Sequence, residues 1–425
     1  RGIAWNELLR DPNVPRGFFD MASLTSIVTD SSSASSSWST GSRIVNAQVN
    51  VLPDGTKLTP IATLARDRGK RIGLVTTTTI THATPAGFAA VSPRRDDEEG
   101  IALQYRGLVD VLLGGGNKFF AADKRKDKQD AYALFAKDGY KICRTKADLD
   151  PSASKTLGVF YEGHLPFTID HQNQPALKDT VPTLAEMSRT ALAILERSPK
   201  GFLLQIEGGR VDHAAHDNDA AAQMWDKLAF DDAVRVALDF ARRRRDTLVI
   251  LCSDHGNSAP ALRGMGKEYT QSNQSFARLV NVKASFEAIE KSLAGQNAAQ
   301  IRDLIQDRFG FTLSGEDAAS IAASQKKAQR LNLNLQLDKP KGVLGAVLAN
   351  YHGVAYVGDS HTADYVVTSA WGPGAIEFQG LIRNTDVFTR FARFWGIRHR
   401  NPTMDPSKAE KLAAYLPPRE RADWA

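Results

Sequence analysis

"GFLLQIEGGRVDHAAH", residues 201–216, decides how this chain folds. Its first part, Phe202 to Ile206, is apolar but for Gln205. A continuous run of this kind, without the alternation of a half-exposed strand, suits burial on both faces of a parallel sheet. The run ends on Glu207, and beyond the glycines Asp212 and His216 stand four apart, which on a helix is one face. In open α/β sheets ligands bind outside the carboxyl ends of the strands. A carboxylate buried there is costly unless it is paired or bound to a metal.

The pattern recurs along the chain. "RIGLVTTTTI" (71–80), "VDVLLGG" (109–115), "TLVILCSDHG" (247–256) and "DYVVTSAWGPG" (364–374) read as further strands. "LTPIATLARDRGK" (58–70), "QDAYALFAKDGY" (129–140), "VPTLAEMSRTALAILERS" (181–198) and "FDDAVRVALDFARRRR" (230–245) read as helices. Strand alternating with helix predicts an α/β fold, a three-layer α/β/α sandwich around a mostly parallel central sheet. From about 273 to 348 the chain turns helical and polar. That stretch is expected to be a helical insertion, a lid or cap on a single domain spanning residues 1–425.

Composition narrows the function classes. With 42% apolar and 24% charged residues in 425, the chain reads as an ordinary globular protein. The net charge of +6 is spread along the sequence, and its one dense run, Arg242–Arg245, closes an amphipathic helix where cations are favoured. Neither a nucleic-acid partner nor a membrane is expected, since no apolar run reaches spanning length. Two cysteines, Cys143 and Cys252, permit neither a disulfide framework nor a zinc cluster.

Metal-type side chains collect where the strands end. Asp254 and His255 close "TLVILCSDHG", and His361 lies in "GDSHTADY". Mixed Asp and His ligation suits zinc and its borderline neighbours, whereas a carboxylate with hydroxyls suits magnesium. Each residue alone could be a cap or a surface group; their joint placement after strands makes a site. The serine run "VTDSSSASSSWSTG" (28–41) is flanked by ordered-looking apolar sequence, which argues against a flexible linker.

These motifs together resemble the alkaline phosphatase family, bacterial type, from about Gly17 to Ile397. The family's Thr-Asp-Ser segment matches Thr29-Asp30-Ser31, and its hydroxyl with an arginine eleven residues on matches Thr84 and Arg95 in "HATPAGFAAVSPRR". Arg94 is the neighbouring candidate. Glu207, Asp212 and His216 match a third motif, Asp254-His255 a fourth, and His361-Thr362, followed by Gly-Pro-Gly, a fifth. The resemblance implies hydrolysis of phosphate monoesters through a phosphoserine on Ser31, with Arg95 holding the phosphate. It implies two Zn2+ sites, one on Asp212, His216 and His361 and one on Asp254 and His255. A third site, for Mg2+, would use Glu207 and Thr84, with His82 and His213 beside it. It further implies a periplasmic or secreted location and suggests a homodimer.

Family members also carry an early strand ending in an Asp-Gly-Met-type segment, whose Asp serves the second and third metals. No such segment precedes Ser31, and Asp11 and Asp20 stand in other contexts. That first strand is expected to be missing from the given sequence. Two other readings stay open. One is a phosphodiesterase or another ester hydrolase on the same scaffold; the Cys/Ser-x-Pro-x-Arg segment of a sulfatase is not present in "DSSSAS". The other is a noncatalytic metal-binding relative.

Overall fold

The computed structural model describes residues 3–326 and 334–414. Its longer strands are β1 (Arg16–Asp20), β2 (Arg71–Thr79), β3 (Val111–Gly115), β4 (Lys141–Cys143), β5 (Thr156–Val159), β6 (Phe202–Glu207), β7 (Val249–Leu251), β8 (Val366–Trp371) and β9 (Gly380–Arg383). The apolar runs thus become strands, trimmed at their polar ends, and β1, β4, β5 and β9 join them. The anticipated helices form as Ile61–Asp67, Ala131–Lys137, Leu184–Leu195 and the last three-fifths of Ala220–Arg244.

Five strands make an all-parallel sheet in the order β4-β5-β3-β2-β6. β2 is buried along almost its whole length, as is β3, which is why neither alternates in sequence. Four more strands form a second sheet, β9-β1-β8-β7, in which β8 runs antiparallel to both its neighbours. The strands read at 247–256 and 364–374 therefore belong to a mixed sheet, a departure from the parallel pattern. β6 and β7 are each terminal in their sheets, and among the described residues no strand lies between them. β6 is accordingly only partly buried at five of its six positions, and Cys252 after β7 is partly exposed.

Helix Leu184–Leu195 covers one face of the parallel sheet, packing Met187, Ala191 and Leu195 against Val75 and Leu113. Helix Ser31–Thr40 is buried at all ten positions. Its serines are packing residues. Ser35 donates to the Thr84 carbonyl at 2.6 Å, and a Cβ on Gly87 would stand 2.2 Å from the Ser35 hydroxyl. Only small side chains let helices Ser31–Thr40 and Ala83–Ala89 approach so closely. Between 272 and 352 the chain forms the helices Ser272–Ala277, Phe286–Leu293, Ala298–Phe309, Gly315–Ser324 and Pro340–His352. The last four share an apolar cluster with Phe167 and Ala214 of the main body.

Candidate active site

Ser31 is the first residue of its helix, and Asp30 caps it. One Asp30 oxygen accepts the Ser33 N–H at 2.8 Å; the other accepts the Ser32 hydroxyl at 2.7 Å and the Ala47 N–H at 2.8 Å. The run therefore begins with a cap that satisfies helix N–H groups and points Ser31 at the ends of the strands. Ser31 Oγ lies 3.0 Å from His255 Nε2, and the same nitrogen lies 3.1 Å from Asp254 Oδ2. A hydroxyl, a carboxylate and an imidazole nitrogen thus converge. Burial alone would lower the His255 imidazole, but Asp254 beside it lifts it to about 9.

Beside them Asp212, His216 and His361 offer three ligand atoms within 4.8 Å of one another. Helix Arg210–His216 supplies the first two. His361 arrives by a short antiparallel pairing of His361-Thr362 with Gly256-Asn257. His216 Nδ1 sits 2.8 Å from the Asp359 carbonyl and His361 Nδ1 2.8 Å from the Thr29 carbonyl. A carbonyl only accepts, so each Nδ1 carries its hydrogen, and each Nε2 of the neutral ring is left with a lone pair. Those two Nε2 atoms face one another at 3.2 Å. Two lone pairs at that distance repel unless a proton or a cation lies with them. The carbonyl partners are the usual supports of a metal-ligating histidine, so the residues fit a metal ion.

Glu207, at the end of β6, accepts the Thr76 hydroxyl at 2.5 Å. Burial raises its carboxyl to about 7, against the pull of the Thr76 and Thr84 hydroxyls. Beyond it His82, His164 and His213 form a cluster with ring centroids 4.5–5.5 Å apart. Burial, and after it neighbouring cations or histidines, lowers all three imidazoles below their ordinary value, His164 to about 3. They are neutral bases.

Arg95 is 8% exposed. One of its nitrogens lies 3.1 Å from Asp30 and another 3.1 Å from His82 Nε2. The Arg94 side chain is 71% exposed and pairs with Asp96, so Arg95 is the arginine that enters the site. Apart from Arg94, the residues assigned to the site from the sequence fall in this region. Three more there were not so assigned. Asp30 holds both the serine helix and Arg95. Asn257 donates to Asp212 Oδ1 at 2.5 Å. His164 accepts the Thr79 N–H at 3.0 Å. Asp30 stands inside the Thr29-Asp30-Ser31 motif and Asn257 two places after His255, so both could have been found by position; nothing around His164 in the sequence marks it.

A family model described as alkaline phosphatase matches residues 17–397. The chain belongs to the alkaline phosphatase family. Alkaline phosphatase 4 of Bacillus subtilis (strain 168) is 30% identical over 370 residues, 84% of this chain and 75% of that protein. The crystal structure of Thermus thermophilus alkaline phosphatase is 36% identical, with a TM-score of 0.91, covering 97% of this chain and 89% of that one. A mutant alkaline phosphatase of TAB5, solved with Mg bound in its M3 site, shares the fold at 21% identity and a TM-score of 0.65, covering 93% of this chain and 95% of that one. Hydrolysis of phosphate monoesters is the activity of this alkaline phosphatase family. No helix among the described residues is long and apolar enough to cross a membrane.

Proposed function

We propose that this chain hydrolyses phosphate monoesters by a metal-dependent, two-step displacement through a phosphoserine on Ser31. The observation that carries the reading is the convergence of Ser31 Oγ, His255 Nε2 and Asp254 within about 3 Å beside the facing imidazoles of His216 and His361. Asp212, His216 and His361 would hold one zinc ion, and Asp254 and His255 a second. Glu207 and Thr84 would hold magnesium, the ion named for the M3 site of TAB5, with His82 and His213 as its neutral surroundings. Bound metals would supply Lewis-acid stabilisation of the attacking and leaving oxygens.

The chain's own residues do the rest. The helix that begins at Ser31 aims its first N–H groups at the phosphate, whose charge they favour. Arg95, steadied by Asp30, holds non-bridging oxygens through its planar fork. The Ser31–phosphorus bond forms as the ester bond breaks and the alcohol leaves. Water then attacks the phosphoserine, releasing inorganic phosphate and restoring Ser31. An arginine suited to free phosphate oxygens favours monoesters over diesters. The helices between 272 and 352 are inferred to form a cap beside this site. Export to the periplasm or the medium, and assembly as a homodimer, are carried over from the family likeness.

The test is release of p-nitrophenol from p-nitrophenyl phosphate and from bis(p-nitrophenyl) phosphate, with zinc and magnesium, before and after chelation. Metal-dependent turnover of the monoester in excess supports the reading. Preference for the diester would move it to phosphodiester hydrolysis.

A further inference from the structure

Arg210 has no part in the chemistry set out above, yet its side chain is only 4% exposed. Nη1 lies 2.8 Å from His213 Nδ1. Nη2 meets Glu287 Oε2 at 2.5 Å, on helix Phe286–Leu293 of the insertion. The guanidinium carbon stands 3.6 Å from the centre of the Phe167 ring. Burying a guanidinium is costly unless its hydrogens find acceptors. A lysine could meet one of these partners, but a planar fork meets a carboxylate and an imidazole while stacking on a ring.

The contact with His213 decides where that ring carries its hydrogen. A guanidinium only donates, so Nδ1 accepts, and a ring that accepts there carries its hydrogen on Nε2. His82 is held in the same manner: Arg95 donates to its Nε2 at 3.1 Å, which leaves the hydrogen on Nδ1. His82 Nδ1 and His213 Nε2 are both buried without a hydrogen-bond partner among the described residues. His213 therefore presents an N–H, not a lone pair, and does not ligate a metal while Arg210 is in place. The two rings stand edge to face with centroids 5.5 Å apart. Contacts thus run from Glu287 through Arg210, His213 and His82 to Arg95. Backbone bonds fix the far end of this row. The Ser285 N–H and hydroxyl donate to Asp170 at 2.9 and 2.6 Å, and the Phe286 N–H donates to Asp219 at 2.7 Å. The residue that follows them is Glu287, so its place depends on how the insertion sits on the main body.

We propose that Arg210 is a positioning residue: it locks His213 as a hydrogen-bond donor beside His82, and through Glu287 it ties the setting of these histidines, and so of Arg95, to the seating of the insertion. The effect on phosphate rests on the reading of Arg95 as the group that holds it, whereas the lock on His213 does not. A row of contacts is a coupling only if a change at one end moves the other, and the test is built on that.

The full chain is labelled with isotopic histidine and loaded with zinc and magnesium. Nitrogen–proton correlation spectra then show which ring nitrogen of His213 carries hydrogen, with His213→Gln for assignment, and calorimetry gives the dissociation constant of inorganic phosphate. In the wild-type chain Nε2 is expected to carry the hydrogen and Nδ1 none. Arg210→Lys, still only a donor, should preserve that state. Arg210→Gln, whose carbonyl also accepts, should let the hydrogen pass to Nδ1 and weaken phosphate binding by about 3- to 10-fold. Glu287→Ala, at a half-exposed side chain, should move both readouts the same way and serves where Arg210→Gln does not fold. A wild-type His213 with no hydrogen on Nε2, as in a metal ligand, overturns the proposal, and so does a wild-type tautomer in the folded variants. A moved tautomer with unchanged phosphate binding also overturns it, provided that Arg95→Ala weakens that binding. If Arg95→Ala leaves phosphate binding unchanged while the tautomer responds as expected, the catalytic reading fails and the lock stands.

Discussion

Ser31 and Arg95 carry the sharpest expectations at the scale of single residues. Ser31→Ala removes the oxygen proposed to attack phosphorus and nothing the core needs, since the Ser31 hydroxyl faces His255. Turnover of p-nitrophenyl phosphate should fall by about three orders of magnitude or more, with an unchanged circular dichroism spectrum. Near-wild-type turnover in a folded variant would remove Ser31 from the mechanism. Arg95→Ala deletes charge-assisted bonds of roughly 1.5–3 kcal/mol, so the inhibition constant for inorganic phosphate should rise by about 10- to 100-fold. Arg94→Ala, at an exposed ion pair, should change it little. The opposite ranking would place Arg94 on the phosphate. The choice between these neighbours was open in the sequence, because both are arginines at nearly the same spacing. Burial resolves which of them faces inward.

At the scale of elements, the serine helix shows a short sequence with two duties. Asp30 is both its N-cap and the ion partner of Arg95. Asparagine caps a helix about as well as aspartate but carries no charge. Asp30→Asn can keep the Ser33 cap but turns an amide nitrogen toward the Ala47 N–H and Arg95, so it should weaken phosphate inhibition and cost roughly 1–3 kcal/mol of stability, and Asp30→Ala should lose about 1 kcal/mol more with the cap. Equal effects of the two substitutions on inhibition and stability would separate the cap from the arginine.

A second element, helix Ala220–Arg244, holds the loop before Thr168. Asp226 accepts the Thr168 N–H at 3.0 Å and its hydroxyl at 3.1 Å. Burial raises the Asp226 carboxyl to about 7, against the pull of those bonds. A folded-state pKa above the unfolded one favours the protonated form. Its contribution is thus complete below about pH 4 and is lost as pH rises to about 7. Asp226→Asn should flatten that decline, by ~4 kcal/mol at most, in urea midpoints taken from pH 4.5 to 8. A decline of the same slope in the variant would assign it to other groups.

At the scale of the whole molecule, the facing imidazoles predict that metals stabilise the fold as well as the chemistry. Chelation should lower the melting temperature and abolish turnover, and zinc with magnesium should restore both. A chelated chain that melts unchanged would mean that His216 and His361 are held apart without an ion. The sequence by itself determined the layered α/β class, the strand ends and the chemical types that gather there. Those follow from local pattern: continuous apolar runs report burial on both faces, and acids and histidines placed just after them report a site. Only the tertiary structure decided what depends on distant contacts. It brought His361 to Asp212 through a two-residue pairing with Asn257, and it set His164 against His82 and His213. It also reversed β8 against β7. An apolar run records that a strand is covered, but the identity of the neighbour along its hydrogen-bonding edge is written in backbone groups that are the same in every residue.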